Sequence, residues 1–208
     1  LYMLSLELLD SADNTVHSDS KRIGFRTIEF HHRDGFYLNN KKLEIKGINR
    51  HCFYPETGRT ASRRLDLADA KLIKKMNANA VRSHYPPDGS FLDMCDSIGL
   101  LYLDELPGWQ NAYNTKIGKQ LLKEMVIHDA NHPCIFAWSN GNEGGFNYAL
   151  DSLFARYDPQ QRHVIHAWAL FDGVDAHHYP AFQTGVARMH NGYQVFLPTE
   201  FLHSQYDK

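Results

Sequence analysis

Only three cysteines occur in the chain, Cys52, Cys95 and Cys134, far apart and never in a CxxC pair. An odd, scattered set excludes a disulfide framework and argues against a cysteine-built zinc site, leaving all three as small buried hydrophobes. Long apolar runs are also missing: none approaches the roughly 20 residues that a membrane-spanning helix needs. Charge of one sign never collects in blocks, since 22 Lys and Arg stand against 24 Asp and Glu for a formal net charge of -2. Such a surface favours neither nucleic acid nor an anionic membrane. Glycine-rich GxGxxG and GxxxxGK[ST] turns are absent, which weighs against a nucleotide site, and so is HExxH, which weighs against a zinc hydrolase. The opening "LYMLSLELLD" has no basic leader and no cleavage site, so it does not read as a signal peptide. The compartment stays open between cytoplasm and periplasm or exterior.

What is present is enough for one sizeable domain: 208 residues, 43% hydrophobic, a length that can bury a core. Aromatic residues make up 12% and histidines number 13, a bias suited to a cleft that stacks on and hydrogen-bonds to sugar rings. "YMLSLELLDSADNTVHSD" alternates apolar and polar residues around a turn-rich "DSADN", the pattern of an antiparallel hairpin. Residues 1–30 therefore read as the last strands of a β-sandwich, and 31–208 as a second unit with a different texture.

In that second unit short apolar strands alternate with amphipathic segments. "LEIKGINRH", "NAVRSHYPP", "LLYLDELPG" and "CIFAWSNGNE" are strands one to four. "RHVIHAW", "VDAHHYP" and "VFLPTEF" continue as five to seven. Between the first four lie three helices. The first, "DLADAKLIKKMN", places Ala68, Leu72, Ile73 and Met76 on one face with Asp66 as N-cap. "SFLDMCDSIG" is bounded by Ser90 and Gly99. "KIGKQLLKEMVIHDANHP" turns Ile117, Leu121, Leu122, Met125 and Val126 inward. This rhythm predicts an α/β fold with a parallel sheet, and seven such strands fit a (β/α)8 barrel better than an open sheet. Polar residues mark the strand ends: Asn49 and His51, Arg82 to His84, Asp104 and Glu105, Asn142 and Glu143, His177 and His178, and Glu200. The carboxyl ends of barrel strands are where active sites are built.

Glu143 ends strand four and Glu200 ends strand seven, which face each other across an eight-stranded barrel. Two carboxyl groups about 5–5.5 Å apart are the equipment of a retaining glycosidase, one a nucleophile and the other an acid and then a base. Crowding like charges raises the pKa of one of the two. In "WSNGNEGG" the glycines flanking the pair are expected to leave room for substrate.

The runs "KGINRH", "NAVRSHYPP", "LYLDE", "WSNGNEGG" and "PTEF", in this order, resemble glycoside hydrolase family 2, which includes β-galactosidases, β-glucuronidases and β-mannosidases. "RIGFRTIEF" resembles that family's passage from an immunoglobulin-like sandwich into the barrel. The resemblance implies Glu143 as acid/base, Glu200 as nucleophile, and Asn142 as a hydrogen-bond partner of the sugar 2-hydroxyl. It implies Arg82 beside the nucleophile, and His51, His84 and Asp104 along the sugar subsite. Tyr179 would donate to the nucleophile, and His203 resembles a histidine that follows it in the β-galactosidases. Magnesium-binding β-galactosidases place an acid and a histidine after "LYLDE"; "LPGWQNAY" offers neither, so no metal and no cofactor is expected.

Other residues stay open between roles. Trp109 and Trp168 could stack on sugar or fill the core, with Trp109, just past a strand end, the better stacking platform. One of His177 and His178 is expected to pack and the other to face the cleft, with His178 the one placed in the site. Glu105 stands between lining the site and binding backbone amides beneath it. The reading that results is retaining hydrolysis of a β-linked glycoside, a galactoside first, with glucuronide, mannoside and algal galactan as alternatives. A sugar-binding barrel without catalysis is the competing class. The partner is a carbohydrate, and the oligomeric state is open. No eighth strand follows "SQYDK". The chain is therefore expected to be a piece of a longer polypeptide, with more sandwich and a jelly-roll-like domain before it and a strand–helix unit after it. Alone it is expected to be unstable and inactive.

Overall fold

The computed structural model describes residues 1–202; His203 lies outside the described residues. Strands β1 (Tyr2–Leu9) and β2 (Thr15–Ile23) form an antiparallel ribbon. Its turn is set by Asp10, whose Oδ1 accepts from the amides of Ala12 and Asn14 at 2.8 and 2.9 Å. This is the Asx-type turn that "DSADN" encodes. Both faces of the ribbon are exposed over most of its length, and no second sheet faces it among the described residues.

Strands β3 (Ile28–His31), β4 (Gly35–Leu38) and β5 (Lys41–Lys42) make a small antiparallel sheet. The expected boundary after residue 30 falls inside β3. Phe36 of β4 is buried edge-on against Phe136 at 5.5 Å between ring centres. This sheet therefore closes the floor of the barrel rather than belonging with the ribbon.

The barrel wall begins with β6 (Gly47–Asn49). It is followed by helix α1 (Arg63–Lys75), β7 (Ala80–Arg82), α2 (Gly89–Ile98), β8 (Leu101–Glu105), α3 (Thr115–Asp129) and β9 (Ile135–Ser139). A 3-10 turn (Tyr148–Leu150) leads into α4 (Asp151–Tyr157) and then β10 (Val164–Ile165). Strands β6 to β10 form one parallel sheet in chain order. A hairpin, β11 (Leu170–Phe171) with β12 (Val174–Asp175), stands where a helix would separate the next two wall strands. After α5 (Phe182–Asn191), β13 (Val195–Phe196) runs parallel to β12. The side-chain amide of Asn49 donates to the carbonyl of Thr199 at 3.1 Å, linking the first wall strand to the loop after the seventh.

Two apolar layers follow from the alternation of strand side chains. Ala80, Leu101, Leu103, Phe136, Ala137, Ile165 and Val174 fill the barrel. Val81, Tyr102, Leu106, Ile135 and Trp138 pack outward against Phe91, Leu122, Val126 and Phe154 of the helices. At about 25 cal/mol per Å² of apolar surface, these layers are the main source of stability. A register shift between Tyr102 and Leu103 leaves Phe136 as an extra residue in β9. Phe136 and Ala137 thus both face inward, and Trp138 turns out to donate to Asp158 at 2.8 Å. Such a bulge re-aims everything downstream of it, including the end of β9.

The first helix departs from its expected face. Asp66 is not the N-cap; Ser62 is, accepting from the amide of Leu65. Asp66 is fully buried and pairs with Arg50 at 3.1 Å. Turning Asp66 inward rotates Leu72 and Met76 into solvent, and Ala70 and Ile73 take the core positions. Ser90 does not cap α2; its hydroxyl also donates to Asp66. Gly99 does end α2, in the left-handed conformation at φ 74°, the usual glycine stop. In α3, Ile117 is exposed, and Gly118 faces inward against Leu150.

Candidate active site

The loops that leave β6, β7, β8, β9, β12 and β13 surround a cleft of about 650 Å³. His51, His84, Trp109, Asn142, Glu143, Tyr179 and Glu200 line it together. A larger cleft, about 830 Å³, lies between β3, α4 and the β11–β12 hairpin. It gathers Arg26, Asp151, Arg162 and Asp172 but none of the paired glutamates. Size alone favours the larger one; convergence of reactive groups, the better guide to chemistry, favours the smaller.

The glycines of "WSNGNEGG" explain how Glu143 is aimed. The backbone reverses through Gly141 at φ 90° and Gly144 at φ 84°. A Cβ on Gly145 would lie 2.2 Å from the Trp109 nitrogen, and one on Gly108 would lie 2.6 Å from the Gly145 carbonyl. The Asn142 amide donates to the Gly108 carbonyl at 2.8 Å. The expectation that these glycines make room for substrate is therefore corrected: the backbone of Gly108 to Gln110 occupies the space. Glu143 itself is left-handed, at φ 42°, a state that costs about 1–3 kcal/mol in a non-glycine residue. The locked loops hold it there. We expect Gly145→Ala to lower kcat/KM about 100-fold, because a displacement near 1 Å at a catalytic group has that effect. Steady-state kinetics alongside a melting curve on the full-length protein would check it; unchanged kinetics would mean that the two loops are not rigidly joined.

Within the cleft the two glutamates are close: one oxygen of Glu143, one of Glu200 and a ring nitrogen of His178 lie within 4.8 Å of one another. Trp109 Nε1 donates to Glu143 Oε2 at 2.9 Å. Its indole is 63% exposed, so one face stays open to the cleft while the N–H holds the carboxylate. His178 is buried, with Nδ1 3.2 Å from Glu143 Oε1 and 3.7 Å from Glu200 Oε2, and Nε2 2.8 Å from Thr199 Oγ1. Nδ1 is thus within hydrogen-bond reach of Glu143, while Glu200 lies farther off. Burial lowers the His178 pKa, against the opposing pull of the Glu200 charge and the Glu143 hydrogen bond.

Glu200 is the more completely held of the pair. Arg82 Nη1 donates to its Oε1 at 2.9 Å and His84 Nε2 lies 2.7 Å from the same atom. The Tyr179 hydroxyl donates to its Oε2. Burial raises the Glu200 pKa, but hydrogen bonds from His84, Tyr179 and Arg82 outweigh it and hold the carboxyl well below the ordinary carboxylate range. The Tyr179 phenol is pushed up to about 12 by its bond to Glu200. His51 stacks on His84 at 5.0 Å, and its pKa falls through burial and the nearby charges of His84 and Arg82.

Arg82 ties the site together. Besides Glu200, its Nη2 donates to Asn142 Oδ1 at 2.7 Å. Arginine only donates, so this contact fixes the amide oxygen inward and turns the amide nitrogen, a donor, elsewhere. Asp104, by contrast, is not part of the sugar subsite. Side chains alternate along β8, so Leu101, Leu103 and Glu105 point into the barrel while Tyr102, Asp104 and Leu106 point to the helices. Asp104 is fully buried beside Asp129, where burial and the Asp129 charge push its carboxyl well up. Glu105 occupies the inward position, binding Arg82 rather than backbone amides. His177 turns away from the cleft towards Asp175, 3.6 Å distant. Trp168 is half exposed at φ 75° and lines neither cleft. Thr199 is the contributor that strand-end reading passed over, and Glu105, left open between two roles there, joins the site through Arg82.

Glu143, His178 and Glu200 also form a set that could ligate a cation, which would have to compete with the Trp109 and Tyr179 donors. The segment after β8, Leu106 to Tyr113, adds no carboxylate or imidazole. A second set, Asp96, His132 and Cys134, is already engaged with itself. Asp96 accepts from the Cys134 amide at 2.9 Å and meets His132 Nδ1 at 2.7 Å.

Residues 29–166 match the family described as glycosyl hydrolases family 2, TIM barrel domain. A β-galactosidase of Thermoanaerobacterium thermosulfurigenes is 45% identical over 151 residues, which cover 68% of this chain and 21% of that protein. Among solved structures, a β-glycosidase from Bacteroides vulgatus superposes with a TM-score of 0.82 at 25% identity, over 97% of this chain and 29% of its own. The β-glucuronidase of Bifidobacterium dentium, complexed with coumarin-3-O-glucuronide, gives 0.71 at 28% identity, over 82% of this chain and 31% of its own. The chain thus spans about a fifth of the length of the β-galactosidases it matches. No helix among the described residues is long and apolar enough to cross a membrane. A barrel of parallel strands, paired glutamates at the ends of its fourth and seventh strands, and a family match over most of its length place this chain in glycoside hydrolase family 2, in the TIM barrel domain.

Proposed function

We propose that the chain carries the catalytic barrel of a retaining hydrolase of β-linked glycosides, with a β-galactoside as first substrate. The observation that carries the reading is the distance between glutamate oxygens, within 4.8 Å across one cleft. Retaining enzymes keep their carboxyl groups about 5–5.5 Å apart, whereas inverting enzymes need about 6.5–9.5 Å to admit a water between them. In the first step a Glu200 oxygen attacks the anomeric carbon as Glu143 gives its proton to the departing glycosidic oxygen. In the second, Glu143 takes a proton from water, which attacks the anomeric carbon and releases Glu200.

The differences between the two glutamates support these roles. Glu200 is held ionised by three donors, as a nucleophile must be. Glu143 sits at the cleft mouth under a single indole N–H and an imidazole, free to exchange protons with leaving group and water. The Asn142 amide, oriented by Arg82, suits donation to a sugar hydroxyl as charge develops on the ring.

Similarity to a β-galactosidase favours the galactoside, and similarity to a β-glucuronidase makes a β-glucuronide the second reading. Nitrophenyl β-glycosides of both types, offered to the full-length protein, separate them. Proton NMR of the first-formed sugar should show the β-anomer. An α-anomer would overturn the double displacement, and saturable binding without turnover would favour the sugar-binding class.

A further inference from the structure

We infer that Glu105 is a positioning residue for both halves of the proposed site, acting through Arg82. This rests on the double-displacement reading above. Glu105 is wholly buried at the inner face of β8, and its carboxylate grips the Arg82 guanidinium side-on: Nε to Oε2 at 2.8 Å and Nη2 to Oε1 at 3.1 Å. Two parallel charge-assisted bonds fix the plane of a guanidinium as well as its position. With that edge pinned, the opposite edge can point only one way. Nη1 is delivered to Glu200 Oε1 at 2.9 Å and the remaining Nη2 proton to Asn142 Oδ1 at 2.7 Å. One buried carboxylate thereby sets the nucleophile and the sugar-binding amide in a common frame.

A purely structural role explains this arrangement less well. Burying an ion pair is no efficient way to stabilise a fold, because apolar residues of similar volume do as well or better. The neighbouring inward residues, Leu101, Leu103 and Ala80, already pack the barrel there. The charge has a second consequence. Arg82 touches two carboxylates, so Glu105 offsets part of the positive field that Glu200 would otherwise feel alone. A nucleophile bound too tightly by a cation is a weaker one, and the offset keeps Glu200 ionised without quenching its attack.

The test is a double-mutant cycle in the full-length protein, whose parent hydrolysis is verified first so that a failure here is distinct from a failure of the reaction assignment. Glu105→Gln keeps the volume but sets an amide N–H against an arginine N–H. It should lower kcat about 100-fold with KM changed less than about threefold, since misplacing the nucleophile and the sugar-binding amide raises the barrier more than it weakens substrate binding. In an Arg82→Lys background the same substitution should change kcat by less than about threefold, because the fork it orients is gone. Should the glutamine variant fail to fold, Glu105→Asp keeps the charge and withdraws it by one methylene, and the same non-additivity is expected. A folded variant with kcat within about threefold of the parent, or losses that multiply in the double variant, would overturn the inference.

Discussion

Glu200→Gln should lower kcat/KM by at least about 10⁴-fold, the scale of loss seen when a covalent nucleophile is removed. The amide keeps the shape of the carboxylate but cannot form the glycosyl ester, so no intermediate accumulates in either step. Glu200→Gly goes further and vacates space on the face from which the nucleophile attacks. Azide supplied to that variant should restore turnover of an activated substrate and give a glycosyl azide of α configuration, identified by NMR. A β-configured azide, or retained hydrolysis in the glutamine variant, would remove Glu200 from the role of nucleophile. The substitution also predicts a change in acid stability. The folded-state pKa of Glu200 is depressed below its ordinary 4.5. Its contribution is therefore complete above about pH 4.5 and fades as the pH falls towards the folded-state value. In Glu200→Gln that contribution is gone, so unfolding midpoints below about pH 4.5 should fall less steeply with acid than in the parent.

Much of the site could be read from sequence because its chemistry sits at strand ends. Asn142 with Glu143, Arg82 with His84, and Glu200 each follow a short apolar run, and the order of runs identifies the strands. Which of two adjacent polar residues faces the cleft is harder. It depends on strand register, and a one-residue slip reverses every side chain. That is why Asp104, expected along the subsite, faces the helices while Glu105, left open between two roles, takes the inward position, and why the bulge at Phe136 has no signature in "CIFAWSN". The face of α1 was obscured for a different reason. Asp66 is a charged residue buried by its pairing with Arg50, and amphipathic periodicity assigns charge to solvent. The glycines after Glu143 were visible, but what fills the space beside them is the loop from another strand, a contact that no local pattern records. The small sheet of β3 to β5 was legible as strands through its turns. Its place under the barrel rests on Phe36 meeting Phe136, a hundred residues away in the chain.

Removal of Glu143 should produce a loss that depends on the leaving group, and this separates its role from that of Glu200. Glu143→Ala takes away the proton donor for bond cleavage and the base for water. An alkyl or sugar leaving group has a high pKa and needs that proton, so cleavage of a disaccharide should slow by about 10³-fold or more, near the upper range of general acid catalysis. A dinitrophenyl leaving group departs without protonation, so the first step should be nearly unaffected. The glycosyl-enzyme on Glu200 then accumulates, because water lacks its base. A burst of dinitrophenol followed by slow turnover is the expected record. Azide needs no base and should relieve the block, giving a β-configured glycosyl azide, the opposite anomer from that made by Glu200→Gly. Trp109→Phe offers a graded version of the same experiment. It removes the indole N–H that lies 2.9 Å from Glu143 and keeps an aromatic face for the sugar. The carboxylate loses one of the two groups that hold it in place, so disaccharide cleavage should slow, though by less than in Glu143→Ala, while release of dinitrophenol in the first step is unaffected. Equal losses for activated and unactivated substrates in Glu143→Ala would mean that the residue binds substrate without transferring protons. The approach of the two glutamates to within 4.8 Å would then have to be explained as part of a binding site alone.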